Sequence, residues 1–333
     1  MAFDFPARVP LALTPTPLTR LERLSKAWGA DLWIKRDDLT GSVLSGNKIR
    51  KLEFEMAEAV AKKCKAVITC GAAQSNHARA TAIAARQLGL EPHLLLRTID
   101  GKPPAEWDGN ALLDKLVGAD ITWVTPEQYR NERGTLMRAK AEQLGSAGKP
   151  AMVIPEGASD ARGALGYVAA VREIAEQAKA LGVTFTRVAH ACGSGGTTAG
   201  LAIGNAIFAA GMHPVAFAVC DDEAYFRNVI DGIAAEFTGA FGGVAANDAK
   251  YTVIDRYKGI GYGLSTGEEL AFLREIGTLE GVLLDPVYSG KAMFGVKQEL
   301  AKGGGVFKKG ESILFLHTGG MFGLFPKRAE FGF

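Results

Sequence analysis

The chain has 333 residues, 47% hydrophobic and 22% charged, with a formal net charge of +2 at pH 7. That length supports two α/β domains with proper cores, and the composition is that of an ordinary soluble globular protein. The near-neutral balance, without basic clusters interleaved with aromatics, points away from nucleic acid and from a membrane surface and leaves small anionic substrates open.

Residues 1–6 carry neither a basic segment nor a long apolar core, and no apolar run approaches membrane-spanning length, so a cytoplasmic location is expected. Cys64, Cys70, Cys192 and Cys220 lie far apart with no Cys-x-x-Cys pair, and the histidines lack helical metal spacing. Neither a zinc site nor a disulfide framework is expected.

In chain order, strand-like runs fall at residues 32–35, 66–70, 93–97, 121–124, 152–154, 188–191, 215–219, 282–284 and 313–316, alternating with helical stretches. The alternation predicts an α/β fold with parallel sheets covered by helices on both faces. So many strands exceed one small doubly wound domain, which implies two sheets. Residues 239–243 read as a glycine-rich, mobile surface loop.

After the first strand, Ser45-Gly46-Asn47-Lys48 leads into Ile49-Arg50-Lys51-Leu52-Glu53-Phe54. Gly46 lets the backbone fold tightly, and Asn47 is a good cap for a helix running past Met56. Lys48 then projects from the first turn, where the helix dipole favours the neutral amine that a Schiff-base lysine needs. The same residues also read as a capped surface helix with solvated lysines.

The strand at 66–70 is followed by Gly71-Ala72-Ala73-Gln74-Ser75-Asn76-His77 and a helix of small residues. The amides of that helix start and the Ser75 hydroxyl suit a carboxylate, and Asn76 suits a ring oxygen; ordinary capping by Ser75 is the alternative. The strand at 188–191 runs into His190-Ala191-Cys192-Gly193-Ser194-Gly195-Gly196-Thr197-Thr198-Ala199-Gly200, read as strand, glycine turn and helix. Freed amides and threonine hydroxyls make a neutral cup for a phosphate dianion, and bulk on Gly195 is expected to block it. A Gly-Lys-Ser/Thr ending and a G-x-G-x-x-G spacing with an acidic partner are both missing, which argues against the two commonest nucleotide loops. A turn that only packs helix on strand is the alternative.

A helix-start lysine, a carboxylate cup and a phosphate cup in this order resemble the fold-type-II, tryptophan-synthase-β-like pyridoxal-phosphate enzymes. Within them, Lys35-Arg36-Asp37-Asp38, the Ser45 to Phe54 phrase, Gln74-Ser75-Asn76-His77, Asp285-Pro286-Val287-Tyr288-Ser289-Gly290-Lys291 and His317-Thr318-Gly319-Gly320 look like the D-cysteine desulfhydrase and 1-aminocyclopropane-1-carboxylate deaminase group. The resemblance runs end to end and is nearest the plant-type desulfhydrases, which share a stretch like Cys220-Asp221-Asp222. It implies two doubly wound open-sheet domains, a small one of residues 47–161 inserted into a large cofactor-binding one of residues 1–46 and 162–333. The cofactor, pyridoxal 5'-phosphate, then binds between them, and a homodimer is the family expectation.

Residue by residue, the resemblance implies that Lys48 carries the cofactor and that Asn47 and Asn76 contact it, Asn76 at the phenolic oxygen. Gly193, Ser194, Gly195, Gly196, Thr197 and Thr198 hold its phosphate, Cys192 also contacts the cofactor, and Ser289 and Thr318 flank its ring. Gln74, Ser75, Asn76 and His77 receive the amino-acid substrate, with Ser75 at its carboxylate and as a proton relay. Tyr288 and Tyr262 line the pocket as catalytic groups; burial in a core is the alternative for each. Deaminases of the group carry Glu where Ser289 stands and tend to carry Leu where Thr318 stands. A carboxylate there keeps the pyridine nitrogen protonated and the ring a strong electron sink, whereas serine suffices for eliminating a thiolate. The implied reaction is therefore α,β-elimination on D-cysteine to pyruvate, hydrogen sulfide and ammonia. Alternatives are the cyclopropane deaminase, elimination on cysteate or β-chloroalanine, and a non-catalytic cofactor-storage protein, which would need a damaged site.

Overall fold

The computed structural model describes residues 3–332. Strands Leu18–Arg20 (β1) and Asp31–Lys35 (β2) flank helix Glu22–Trp28 (α1). Helix Lys48–Ala61 (α2) leads to Ala66–Ala72 (β3), Asn76–Gln87 (α3), Glu91–Arg97 (β4), Gly109–Leu116 (α4), Asp120–Val124 (β5), Pro126–Ser146 (α5) and Ala151–Val153 (β6). Helix Ala161–Leu181 (α6) precedes Phe185–Cys192 (β7), Gly196–Phe208 (α7), His213–Ala218 (β8), Glu223–Phe241 (α8) and Thr252–Ile254 (β9). Gly267–Glu280 (α9), Ser289–Ala301 (α10) and Ser312–Leu316 (β10) complete the order.

Among the described residues the strands form a six-stranded sheet, β1-β2-β10-β7-β8-β9, and a four-stranded sheet, β5-β4-β3-β6. Every pairing is parallel except β1 with β2. Parallel strands covered on both faces read as unbroken apolar runs, and β3 and β7 are buried along most of their length. One face of the larger sheet packs Leu32, Phe217 and Phe315 against Phe272, Ile276 and Val296 of α9 and α10. In the smaller sheet, Val67 packs under Ile49, Leu52 and Met56 of α2 and Ala80 and Ile83 of α3.

Helix α2 is tied to the larger sheet by a buried ionic cluster. Arg50 donates Nε to Asp37 Oδ2 and Nη2 to Asp37 Oδ1, each at 2.8 Å, and reaches both Glu173 oxygens at 2.9 Å. Tyr167 and Thr16 donate hydroxyls to Asp37, and Lys35 pairs with Glu173. A planar guanidinium that satisfies two carboxylates is a rigid clamp. It holds the start of α2, and with it Lys48, against β2 and α6.

Three local expectations are corrected. Residues 282–284 form no strand: they follow the left-handed Gly281 that ends α9 (φ +69°), and Leu283 is exposed. Its carbonyl accepts from His317 Nε2 at 3.0 Å instead of joining a ladder. Short edge strands stand at β1 and β9, where three residues are too few to show a period. Gly239 is helical, inside α8, and the chain turns only at Gly242 and Gly243, both at positive φ. No helix among the described residues is long and apolar enough to cross a membrane.

Candidate active site

A cavity of about 1000 Å³ opens at the carboxyl ends of β3, β4 and β7, where open α/β sheets bind ligands. Lys48, Asn47, Ser75, Asn76, His77, Cys192, Gly193, Ser194, Gly195, Thr197, Tyr262, Tyr288 and Thr318 all line it. Gln74, Gly196 and Ser289 are set back from its wall.

Lys48 opens α2 and is half-buried, its Nζ within 3.2 Å of Asn47 Oδ1. Burial pushes its amine down to about 8, against the pull of Cys192, Glu156 and Asp285. Burial, more than the helix dipole, makes it a nucleophile near neutral pH. Asn47 stands at the cap position without capping: its backbone is already helical and its side chain bonds no helix amide. Instead Asn47 Nδ2 donates to Thr197 Oγ1 at 3.1 Å, joining the lysine to the start of α7. Gly46, at φ +110°, allows this turn to lie on the 318–319 backbone, where an added Cβ would stand 3.0 Å from the Thr318 carbonyl.

The glycine loop before α7 leaves first-turn amides with no intrahelical acceptor beside the Ser194 and Thr197 hydroxyls. A Cβ on Gly195 would meet Val229 at 2.9 Å, not the cup. Gly195 is therefore required by its φ of +79° and by the approach of α8, which corrects the expectation that bulk there fills the phosphate space. Gly196 faces the underside of the loop, 2.6 Å from Lys51 Nζ as measured from an added Cβ. Lys51 donates to the Gly157 carbonyl at 2.7 Å and to Ser159 Oγ at 3.2 Å, while Ser159 donates to Ser194 Oγ at 2.8 Å. Burial, with Lys48 nearby, holds Lys51 well below the usual lysine range. Sequence reasoning passed over Lys51. The available signal was its spacing of three from Lys48, which puts both amines on one helix face.

Ser75 both caps α3, accepting from the Ala78 amide at 3.1 Å, and lines the cavity. Asn110 Nδ2 donates to Asn76 Oδ1 at 3.0 Å, which orients the Asn76 amide with its Nδ2 free for an acceptor. Gln74 bonds the Asp108 carbonyl and the Asn110 amide, so it fixes the 108–110 segment in place of touching the cavity. Arg79, fully buried, completes this support by donating to Asn110 Oδ1 at 3.1 Å and the Ser45 carbonyl at 2.9 Å. His77 bonds Thr69 Oγ1 at 2.7 Å, and burial keeps its imidazole neutral.

Across the cavity, Tyr288 lies so close to the glycine loop that a Cβ on Gly193 would stand 2.9 Å from its ring. Burial raises the Tyr288 phenol well above its ordinary range and Tyr262 to about 12. Asp285 organises this corner: it accepts from the amides of Val287, Tyr288 and Ser289 at 2.7–2.9 Å and from Ser289 Oγ at 2.6 Å. Ser289, fully buried, is thereby engaged by Asp285. Thr318 lines the cavity and its carbonyl accepts from the Asn47 amide at 3.1 Å.

An amine pushed down to about 8, with no carboxylate in ion-pair contact among the described residues, beside the first-turn amides of α7, fits pyridoxal phosphate. The comparisons agree with that chemistry. The family described as pyridoxal-phosphate dependent enzyme matches residues 9–319. A bifunctional D-cysteine desulfhydrase/1-aminocyclopropane-1-carboxylate deaminase, mitochondrial, of Arabidopsis thaliana is 44% identical over 95% of this chain and 79% of its own length. A D-cysteine desulfhydrase of Yersinia enterocolitica is 38% identical over 97% of this chain and 96% of its own. The crystal structure of an ACC deaminase homologue superposes with a TM-score of 0.84 at 40% identity, covering 98% of this chain and 95% of that one. With the match spanning nearly the whole chain and the site built to suit the cofactor, the protein belongs to the pyridoxal-phosphate dependent enzymes.

Proposed function

We propose that the enzyme catalyses α,β-elimination on D-cysteine, giving pyruvate, hydrogen sulfide and ammonia. Bound pyridoxal phosphate supplies an electron sink for the pair left at Cα when its proton departs. Lys48, neutral above about 8, holds the cofactor and then accepts that proton. The helix start at Ser75 docks the substrate carboxylate, and Asn76 Nδ2 meets the ring oxygen. Tyr288 keeps its phenolic proton because burial disfavours the phenolate, so it can protonate the departing sulfur. The Cβ–S bond then breaks with its electron pair on sulfur, and released aminoacrylate hydrolyses in water to pyruvate and ammonia.

The observation that carries the choice of reaction is the bonding of Ser289. Its hydroxyl donates to Asp285 Oδ1 at 2.6 Å and accepts from the Asp285 amide at 2.9 Å, and the Asp285 carboxylate is saturated by backbone amides. This corner thus has no uncommitted carboxylate to keep a pyridine nitrogen protonated, which favours a good leaving group over an unactivated ring. The names of the similar proteins support both readings: the Arabidopsis relative is named for desulfhydration and for cyclopropane deamination, the Yersinia relative for desulfhydration, and the structural neighbour for the deaminase. Division into residues 47–161 and the remainder, a homodimer and a cytoplasmic location belong to the same reading. The test is a substrate panel of both cysteine enantiomers and 1-aminocyclopropane-1-carboxylate, followed for sulfide, pyruvate and 2-oxobutanoate. Sulfide from D-cysteine supports the reading, and ring opening without sulfide overturns it.

A further inference from the structure

Tyr262 is carried by residues 255–266, which join β9 to α9 without forming helix or strand. Gly259, Gly261 and Gly263 stand at φ +65°, +146° and +70°, so the local backbone does not by itself fix where the ring points. Arg97, at the carboxyl end of β4, covers the rings of Tyr262 and Tyr129 at 5.3 and 4.9 Å. A cation is attracted to the whole ring face, so this contact leaves the position of the Tyr262 hydroxyl open.

One side chain supplies what the glycines lack. Among the described residues, Lys291 Nζ donates to the Lys258 carbonyl at 2.6 Å and to the Gly261 carbonyl at 2.9 Å, and no other hydrogen bond from outside reaches the backbone of residues 258–264. Lys291 is 2% exposed, and these carbonyls, with Glu269 3.9 Å away, satisfy its buried amine. Gly259 makes room for both partners: a Cβ there would lie 2.6 Å from Glu269 Oε1 and 3.1 Å from Lys291 Nζ. Lys291 follows Tyr288 by three residues at the start of α10. One helix face thus presents the Tyr288 phenol and the amine that places its partner, Tyr262, 2.5 Å away.

We propose that Lys291 is a positioning residue: by holding the 258 and 261 carbonyls against α10 it sets Tyr262 on Tyr288 and so aims the Tyr288 proton at the departing sulfur. This rests on the elimination, and on the acid role of Tyr288, proposed above. Lys291 is set back from the cavity wall and moves no proton itself. Without its amine both carbonyls turn to water, the glycines let the segment swing, and Tyr288 loses the bond that orients its hydroxyl.

The test is a double-mutant cycle on the holoenzyme, read as sulfide release from D-cysteine, beside hydrogen exchange of the 258–264 amides. Lys291→Met should lower kcat about tenfold or more, leave KM and the cofactor spectrum nearly unchanged, and speed exchange in that segment. In a Tyr262→Phe background the same substitution should change kcat by less than about twofold, because the hydroxyl it positions is already gone. Lys291→Arg, which keeps donors for the carbonyls, should recover part of the loss. A general structural role would cost the same in both backgrounds, and that additivity overturns the proposal, as does a wild-type rate in Lys291→Met. Should Lys291→Met fail to fold, Lys291→Gln, with a shorter neutral donor, carries the same cycle. If wild type releases no sulfide, the elimination reading fails by itself and hydrogen exchange decides the role of Lys291. Faster exchange in the variant then supports its hold on the segment, and unchanged exchange overturns it.

Discussion

The hydroxyls of Tyr262 and Tyr288 stand 2.5 Å apart, with their rings edge to face at a centroid distance of 6.0 Å. One must donate to the other, and both phenols are raised by burial, so the pair carries protons without ionising at neutral pH. Tyr288 is the member at the glycine loop, and Tyr262 orients it.

Tyr288→Phe is therefore expected to lose about 100-fold or more in kcat for sulfide release, the usual scale for a positioned acid. Tyr262→Phe should lose less, because Tyr288 keeps its own proton. Cofactor absorbance should survive in both. Equal losses in the two variants, or a Tyr288→Phe enzyme at wild-type rate, would return these residues to packing.

Lys48 offers a pH test. Its amine is charged below about 8 and neutral above, so covalent capture of pyridoxal phosphate by apo-enzyme should speed up as pH approaches about 8 and then level off. Borohydride reduction and peptide mapping read both the rate and the residue. The sign for stability is the same: between about 8 and 10.5 the unfolded chain alone holds the extra proton, so the burial penalty on Lys48 is relieved as pH rises through that window. Label on Lys51 in place of Lys48 would move the cofactor site by one helix turn.

Arg50 tests whether the position of α2 depends on its clamp. Arg50→Met leaves the buried Asp37 carboxylate without its main counter-charge and should destabilise the fold by ~3–5 kcal/mol in denaturant titration. Adding Asp37→Leu should recover much of that loss, since an apolar pair of similar size needs no compensation. A loss below ~1 kcal/mol in the single variant would show that α2 is positioned by packing alone.

What was legible beforehand follows from the range of each interaction. Buried parallel strands are unbroken apolar runs, so residues 66–70, 188–191 and 313–316 could be read as β3, β7 and β10. Lys48, Ser75 and the loop at Gly193 carry local signals of glycine, cap residue and helix start, and the structure brings them to one cavity. The supports were not legible. Arg79 and Asn110 meet across 31 positions, and Ser159 and Ser194 across 35, with nothing local in either partner to mark the contact. Arg97 gave no signal because its partners are two ring faces contributed by α5 and by the loop before α9.

The bonding of Ser289 sharpens the test of reaction choice. Ser289→Glu keeps the backbone bond to Asp285 Oδ1, loses the hydroxyl bond at 2.6 Å, and sets a second carboxylate beside a buried one. Two carboxyls so close cannot both ionise in a dry site, so one of them gains a raised pKa. For an acid with a raised folded-state pKa the stability penalty grows with pH, and apo Ser289→Glu should lose more stability at pH 8 than at pH 5. Bound cofactor should shrink that difference, because a protonated ring nitrogen gives the new carboxylate a partner. Adding Thr318→Leu should then raise 2-oxobutanoate formation from the cyclopropane amino acid while lowering sulfide release. Ser289→Ala is the control: it leaves an Asp285 Oδ1 lone pair and the Asp285 amide without their hydroxyl partner, at about 1–3 kcal/mol each, and should not open the ring. If the double variant keeps its sulfide activity and gains no ring opening, the charge at this corner does not set the reaction.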